Sequence, residues 1–210
     1  MTDAALSFVH RFEPATRQDA PPLLLLHGTG GDENDLIPLG DMISPGSALL
    51  SPRGKVLEGG MPRFFRRLRE GVFDEDDLRA RAAELAGFIA QARAAYGLAA
   101  PIAVGFSNGA NIAAALLLTQ PGVLAAAVLM RAMVPLANPP AADLAGNRVL
   151  LLSGALDPIV PEENAARLAG QLRAAGADLD HRVLPAGHGL SQADLTLARQ
   201  WIEAPARSAA

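Results

Sequence analysis

The chain has 210 residues, 50% of them hydrophobic, with 18 Lys+Arg against 22 Asp+Glu and a formal net charge of −4. That length and apolar content suit one domain over residues 1–210 with one sizeable core, and the slight acidity excludes the broad basic surface that nucleic acid demands. With no cysteine, disulfides, thiolate nucleophiles and thiolate-bound metals are excluded; the 4 histidines stand at no metal-ligand spacing, so neither metal nor cofactor is expected.

The N-terminus, Met1-Thr2-Asp3-Ala4-Ala5, has no basic segment followed by an apolar run, which reads as a cytoplasmic protein. Apolar runs predict strands over Leu6–Phe12, Leu23–His27 and Ala48–Ser51. After the second run comes His27-Gly28-Thr29-Gly30-Gly31. It lacks the third glycine of a dinucleotide fingerprint and the lysine of a P-loop, which disfavours a phosphate cradle. The segment from Arg53 to Asp74 is the longest without regular periodicity and is the best candidate for a substrate loop. In it, one of Phe64 and Phe65 is a candidate to line a substrate site while the other anchors the loop in the core, with both in the core as the alternative. Its bases Arg53, Lys55, Arg63, Arg66, Arg67 and Arg69 are expected to be neutralised by the following acids, Asp74 to Asp77.

Leu78, Ala82, Leu85, Ile89, Ala92 and Tyr96 share one face at helical spacing, with Asp74 and Asp77 as cap. From Ala94 to Met130 the chain is free of charge, yet Gly97, Pro101, Gly105, Asn108 and Pro121 cut it into pieces too short to span a membrane. It reads instead as the interior of a parallel sheet. Strands are predicted over Ile102–Phe106 and Leu124–Met130, with a helix over Gly109–Thr119 between them. Met130, Met133 and Val134 are candidates for an apolar wall, Met133 for substrate binding. The stretch from Arg131 to Arg148 is too short for a cap domain. Strands over Val149–Ser153 and Asp178–Leu184 enclose a helix over Pro161–Ala174, and a last helix over Gln192–Ile202 is capped by Ser191; the Ala-rich tail after Trp201 is expected to fray.

Strands alternating with helices predict an α/β fold with a mostly parallel central sheet and helices on both faces. Ligands gather at the carboxyl ends of such strands. There stands Gly105-Phe106-Ser107-Asn108-Gly109, a G-x-S-x-G sequence at a strand-to-helix turn, where small flanking residues let the serine hydroxyl project above the sheet. A serine needs an imidazole base, and the imidazole needs a carboxylate. His188, between Gly187 and Gly189 after the last strand, and Asp157, just past the preceding one, can reach the same edge. His181 lies within a strand and is read as structural; Asp143, Asp178, Asp180 and Asp194 are read as solvated or capping acids. The N–H of Asn108, at a helix N-terminus, suits an oxyanion.

Leu26-His27-Gly28-Thr29-Gly30-Gly31, Gly105 to Gly109, Leu156-Asp157 and Gly187-His188-Gly189 together resemble the phospholipase/carboxylesterase family of α/β-hydrolases, which includes the acyl-protein thioesterases. The likeness covers nearly the whole chain and is closer to the bacterial carboxylesterases of that group, because Asn108 stands where the thioesterases have Gln. The resemblance implies an α/β-hydrolase fold without a cap domain, a Ser107, Asp157, His188 triad, and an oxyanion hole from the backbone of Thr29 and Asn108. The function expected is a serine carboxylesterase for short-to-medium acyl esters, with a small-molecule ester as partner and no cofactor. A thioesterase or lysophospholipase is the alternative within enzymes. A hydrolase-fold protein that binds a ligand without turnover is the alternative of another class. Oligomeric state is left open.

Overall fold

The computed structural model describes residues 6–204. Strands β1 (His10–Glu13) and β2 (Leu23–Leu26) are followed by helix α1 (Ile37–Ile43) and β3 (Leu49–Pro52). Two small hairpins come next, β4 (Val56–Glu58) with β5 (Met61–Arg63) and β6 (Arg67–Arg69) with β7 (Val72–Phe73). The chain continues through α2 (Glu75–Tyr96), β8 (Ile102–Phe106), α3 (Asn108–Thr119), β9 (Ala126–Met130), β10 (Arg148–Gly154), α4 (Glu162–Ala174), β11 (Asp178–Leu184) and α5 (Gln192–Glu203). Seven strands form the main sheet in the order β1-β3-β2-β8-β9-β10-β11, parallel except for the edge pair β1–β3.

Side chains alternate across a strand, so a doubly covered sheet needs apolar residues at every position. β2 meets this demand with Leu23, Leu24, Leu25 and Leu26, all fully buried. Leu24 and Leu26, with Ala103, Leu129 and Leu151, pack under α2, α3 and α4. Leu23 and Leu25, with Val104, Val128 and Leu152, face α1 and α5. The sheet thus separates two apolar layers, and the charge-free stretch is its centre, in β8, α3 and β9. Among the described residues no helix is long and apolar enough to cross a membrane.

Helix ends follow local chemistry. Asp74 caps α2 by accepting from the Asp77 N–H, three acids occupy the first turn where the macrodipole favours them, and Gly97 ends the helix at φ 67°. Ser191 and Asp194 form a capping box on α5.

Several boundaries differ from expectation. The predicted first strand shortens to His10–Glu13, because Phe8 leaves the ladder and packs its ring 4.9 Å from that of Phe88. α1 escapes sequence reasoning, since Pro38 and Gly40 depress helix propensity. Its close seat on the sheet explains the glycine: a Cβ on Gly40 would lie 3.0 Å from side-chain carbons of Leu25 and Leu49. The Arg53 to Asp74 segment is two hairpins instead of an irregular loop. Gly59 and Gly60, at φ 57° and 84°, make the two-residue turn of the first one. α5 runs through Glu203, past the point where fraying was expected; residues 1–5, with the cytoplasmic reading drawn from them, and 205–210 lie outside the described residues. The stretch 131–147 carries neither helix nor strand, in keeping with the absence of a cap domain.

Candidate active site

The parallel strands all deliver their carboxyl ends to one edge, and the residues just beyond β2, β8, β9, β10 and β11 meet there. Beyond β8 the chain turns into α3 within one residue, Ser107, at φ 51° and ψ −112°. This left-handed conformation costs a non-glycine residue of order 1–3 kcal/mol and persists only where neighbours enforce it. The Ser107 N–H donates to the Met130 carbonyl at 2.9 Å and its carbonyl accepts from the Asn111 N–H at 2.9 Å. Small neighbours make the turn possible. A Cβ on Gly105 would lie 2.6 Å from the Gly109 carbonyl oxygen, and one on Gly109 would coincide with the Leu26 carbonyl. Gly109→Ala is therefore expected to destabilise the protein by about 3 kcal/mol, the upper range for overpacking, read as a lower midpoint in urea unfolding. An unchanged midpoint would contradict that close approach.

His188 follows β11 and Asp157 follows β10, and both side chains turn toward Ser107. His188 Nε2 lies 3.0 Å from Ser107 Oγ, and His188 Nδ1 lies 2.8 Å from Asp157 Oδ2. The proton assignment follows from the partners: a buried carboxylate requires Nδ1–H as donor, which leaves Nε2 free to accept from the serine hydroxyl. The Asp157 side chain is shut off from solvent. Burial pushes its carboxyl up, but the N–H groups of Ile159 and Val160 at 2.8 and 3.0 Å, together with the His188 ring, outweigh this and hold it below its ordinary value. The carboxylate is thus ionised where it faces the imidazole.

Thr29 and Asn108 flank the serine. Neither backbone N–H donates to an acceptor among the described residues, and Asn108 is the first residue of α3. The hairpin segment ties both in place. Arg63 Nη1 donates to Thr29 Oγ1 at 2.6 Å, the Gly30 N–H donates to the Pro62 carbonyl at 3.0 Å, and the Phe64 N–H donates to Asn108 Oδ1 at 2.8 Å. His27 is a brace: its ring is fully buried, pairs through Nδ1 with the Gly28 carbonyl and accepts through Nε2 from the Gly54 N–H, and burial depresses its pKa. His181 bonds Ser153 Oγ at 2.9 Å within the sheet.

A cleft of about 280 Å³ opens over Ser107 and His188. Its apolar wall is Phe73, Phe106, Met133 and Ile159, and its polar side includes Thr29, Arg63, Arg67 and Asn111. Met133 stands where expected. Phe64 and Phe65 do not: at 3% and 0% exposure both belong to the core, Phe64 against His27 and Phe65 edge-on to Phe73. They lie in the bend between the two hairpins, packed inward, so Phe73 and Phe106 supply the aromatic surface instead. Of the other proposed wall residues, Met130 is buried in the sheet and Val134 lines a different hollow. Five of the six bases of the segment are neutralised, mostly not by Asp74 to Asp77, and Arg69 pairs with no acid among the described residues. Arg66 alone pairs with Asp74 and Asp77; Arg53 turns to Glu33, Lys55 to Glu84, and Arg63 and Arg67 to Glu58.

Sequence reasoning missed Phe73, Phe106, Ile159 and Asn111. Asn111 carried a signal, as an amide one turn into the apolar helix α3, and its Oδ1 accepts from the Met133 N–H at 2.7 Å. Asp194 was expected at the surface or as a cap; it caps α5 but is fully buried.

Comparison with known proteins agrees with this architecture. A family model described as Phospholipase/Carboxylesterase matches residues 10–205. The Bacillus subtilis (strain 168) protein MhqD, a hydrolase by name, is 46% identical over 194 residues, 91% of this chain and 96% of the relative. The crystal structure of the Bacillus cereus carboxylesterase superposes with a TM-score of 0.92 at 41% identity, over 95% of each chain. A carboxylesterase from Mesorhizobium loti gives 0.91 at 35% identity, over 98% of each.

Proposed function

Because the chain belongs to the phospholipase/carboxylesterase family, we propose that it hydrolyses short-to-medium acyl carboxylic esters through a covalent acyl-enzyme on Ser107. The observation that carries this reading is the continuous hydrogen-bonded line from Asp157 through His188 to Ser107 at the floor of a cleft. In the reading, Ser107 Oγ attacks the ester carbonyl as His188 Nε2 takes its proton. Asp157 holds the ring in the required tautomer and stabilises the imidazolium. The carbonyl oxygen gains charge and is met by the N–H groups of Thr29 and Asn108, a type of donor whose loss costs about 10²–10³ in turnover. The C–O bond then breaks, the alcohol leaves with the proton from His188, and a water deprotonated by the same ring releases the acid.

The cleft size favours short chains. At about 280 Å³ it falls just below the usual range for ligand pockets, roughly 300–1,000 Å³, and Phe73, Met133 and Ile159 line it from the side. Along a series of p-nitrophenyl esters, kcat/KM is expected to be highest between acetate and hexanoate and to fall at least about tenfold by decanoate, since each misfit methylene is worth about 1–3 kcal/mol in such a pocket. Stopping the acetate reaction with acid should trap one acetyl group on the peptide containing Ser107, visible by mass spectrometry. Hydrolysis without a trappable acyl group, or no hydrolysis across the series, would sink the proposal. Matched thioesters in the same series read out the preference between oxygen and sulfur leaving groups.

A further inference from the structure

Only two non-glycine residues among those described have positive φ: Ser107 and Arg131, at 51° and 56°. They end the adjacent strands β8 and β9. The strain at Ser107 is accounted for by its turn. Arg131 lies at the opposite extreme of exposure from an ordinary arginine, 1% exposed, with its side chain and that of Asp194 both at 0%.

Its guanidinium has five N–H bonds, and all five find acceptors. Nε donates to the Gly187 carbonyl at 2.8 Å. Nη1 donates to the Leu152 carbonyl at 3.2 Å and to Asp194 Oδ1 at 2.8 Å. Nη2 donates to the Gly189 carbonyl at 3.3 Å and to Asp194 Oδ2 at 2.9 Å. Gly187 and Gly189 are the two neighbours of His188, so one rigid planar group holds the loop on both sides of the imidazole.

Apart from this grip, the loop is held by the Leu156 N–H on the Ala186 carbonyl at 3.0 Å and by Leu190 on the core. Neither glycine has a side chain to pack, and a Cβ added to Gly189 would meet nothing within 4 Å. Stability alone does not explain the device, since a fully buried ion pair commonly does no better than apolar residues of the same volume. Asp194 completes the frame: Oδ2 also accepts from the Ser191 N–H at 2.8 Å and the Ser191 hydroxyl at 2.7 Å, which anchors the pair to the start of α5.

We infer that the buried Arg131–Asp194 pair is a positioning device that sets His188 between Ser107 and Asp157 by gripping the carbonyls of Gly187 and Gly189. This rests on the reading of His188 as the base. Arg131 does not line the cleft, so it acts on the rate through the imidazole and leaves substrate binding alone. Misplacement of a reacting group by about 1 Å is enough for a loss of about 10²-fold.

Two variants test this. Arg131→Lys keeps the charge opposite Asp194, but an ammonium has three donors on one nitrogen and no planar fork, so it cannot span the five acceptor positions that the guanidinium serves. Arg131→Met with Asp194→Asn removes both charges, keeps an acceptor for Ser191, and keeps the test decisive if the lysine variant does not fold. In a folded variant, judged by near-ultraviolet circular dichroism, kcat for p-nitrophenyl acetate is expected to fall at least about 100-fold with KM within about threefold. A downfield proton resonance from the His188 Nδ1–H bond to Asp157 is expected in the wild type and should broaden or vanish in the variants. A folded variant with kcat within about tenfold of wild type, or with that resonance unchanged, overturns the inference. Ser107→Ala measured alongside separates the two readings: if it stays active, the acyl-enzyme proposal fails; if it is inactive while the Arg131 variants work, only the positioning role fails.

Discussion

Ser107→Ala is expected to lower kcat on p-nitrophenyl acetate by about 10⁶-fold, with KM and thermal midpoint close to wild type. The substitution removes one oxygen, the only atom of this side chain that reaches His188 Nε2. The backbone strain at φ 51° is the same for alanine as for serine, and the turn is held by main-chain bonds to Met130 and Asn111 that do not involve the hydroxyl. Folding and the shape of the cleft should therefore survive. Residual hydrolysis above the uncatalysed rate would come from the Thr29 and Asn108 donors acting on a bound ester. A fluorophosphonate should label the wild type and leave the variant untouched. A variant retaining even about 1% of kcat would be incompatible with a serine nucleophile.

Asp157→Asn is expected to cost about 10⁴-fold in kcat while leaving the carbon framework of the site in place. The reason lies in the partners of the two carboxylate oxygens. Oδ1 accepts from the N–H groups of Ile159 and Val160, so in the variant the amide oxygen must occupy that position. The amide NH₂ then faces His188 Nδ1, which has to accept; the ring proton moves to Nε2, and Nε2 can no longer take the serine proton. Acid stability gives an independent reading. Asp157 is held below its ordinary value of 3.8, so its contribution is fully present above that value and is lost as pH falls through the lower value of the folded state. The asparagine variant lacks this term, and its urea midpoint should change less than that of the wild type below about pH 4. Equal acid slopes in the two proteins would show that the carboxylate is not held in this way.

Much of the site was legible before the fold because its chemistry needs fixed residue types at strand ends. Gly105 and Gly109 around Ser107 report a sterically enforced turn, and His188, an ordinary turn residue when taken alone, gains meaning from standing past a strand at the same edge as Ser107 and Asp157. The hairpins were not legible. Strands of two or three residues leave no period to detect, and the Gly59-Gly60 turn was the one local cue. The inward direction of Phe64 and Phe65 depends on how the bend between the hairpins packs against His27 and Phe73, which no spacing encodes.

Arg131 marks the boundary most clearly. In the sequence it is merely the first charge after a long neutral stretch, and Asp194 is an acid near a helix start. Local patterning determined which segments become the strands of the main sheet, which turn holds Ser107, and that Asp157 and His188 follow strands ending at the same edge, because those are set by sterics and hydrophobic periodicity over a few residues. Only the tertiary structure decided which residues wall the cleft and which buried charge grips the histidine loop. The grip of Arg131 reaches 56 to 63 positions along the chain, and the energies of such contacts depend on desolvation and direction that exist only once the layers have closed.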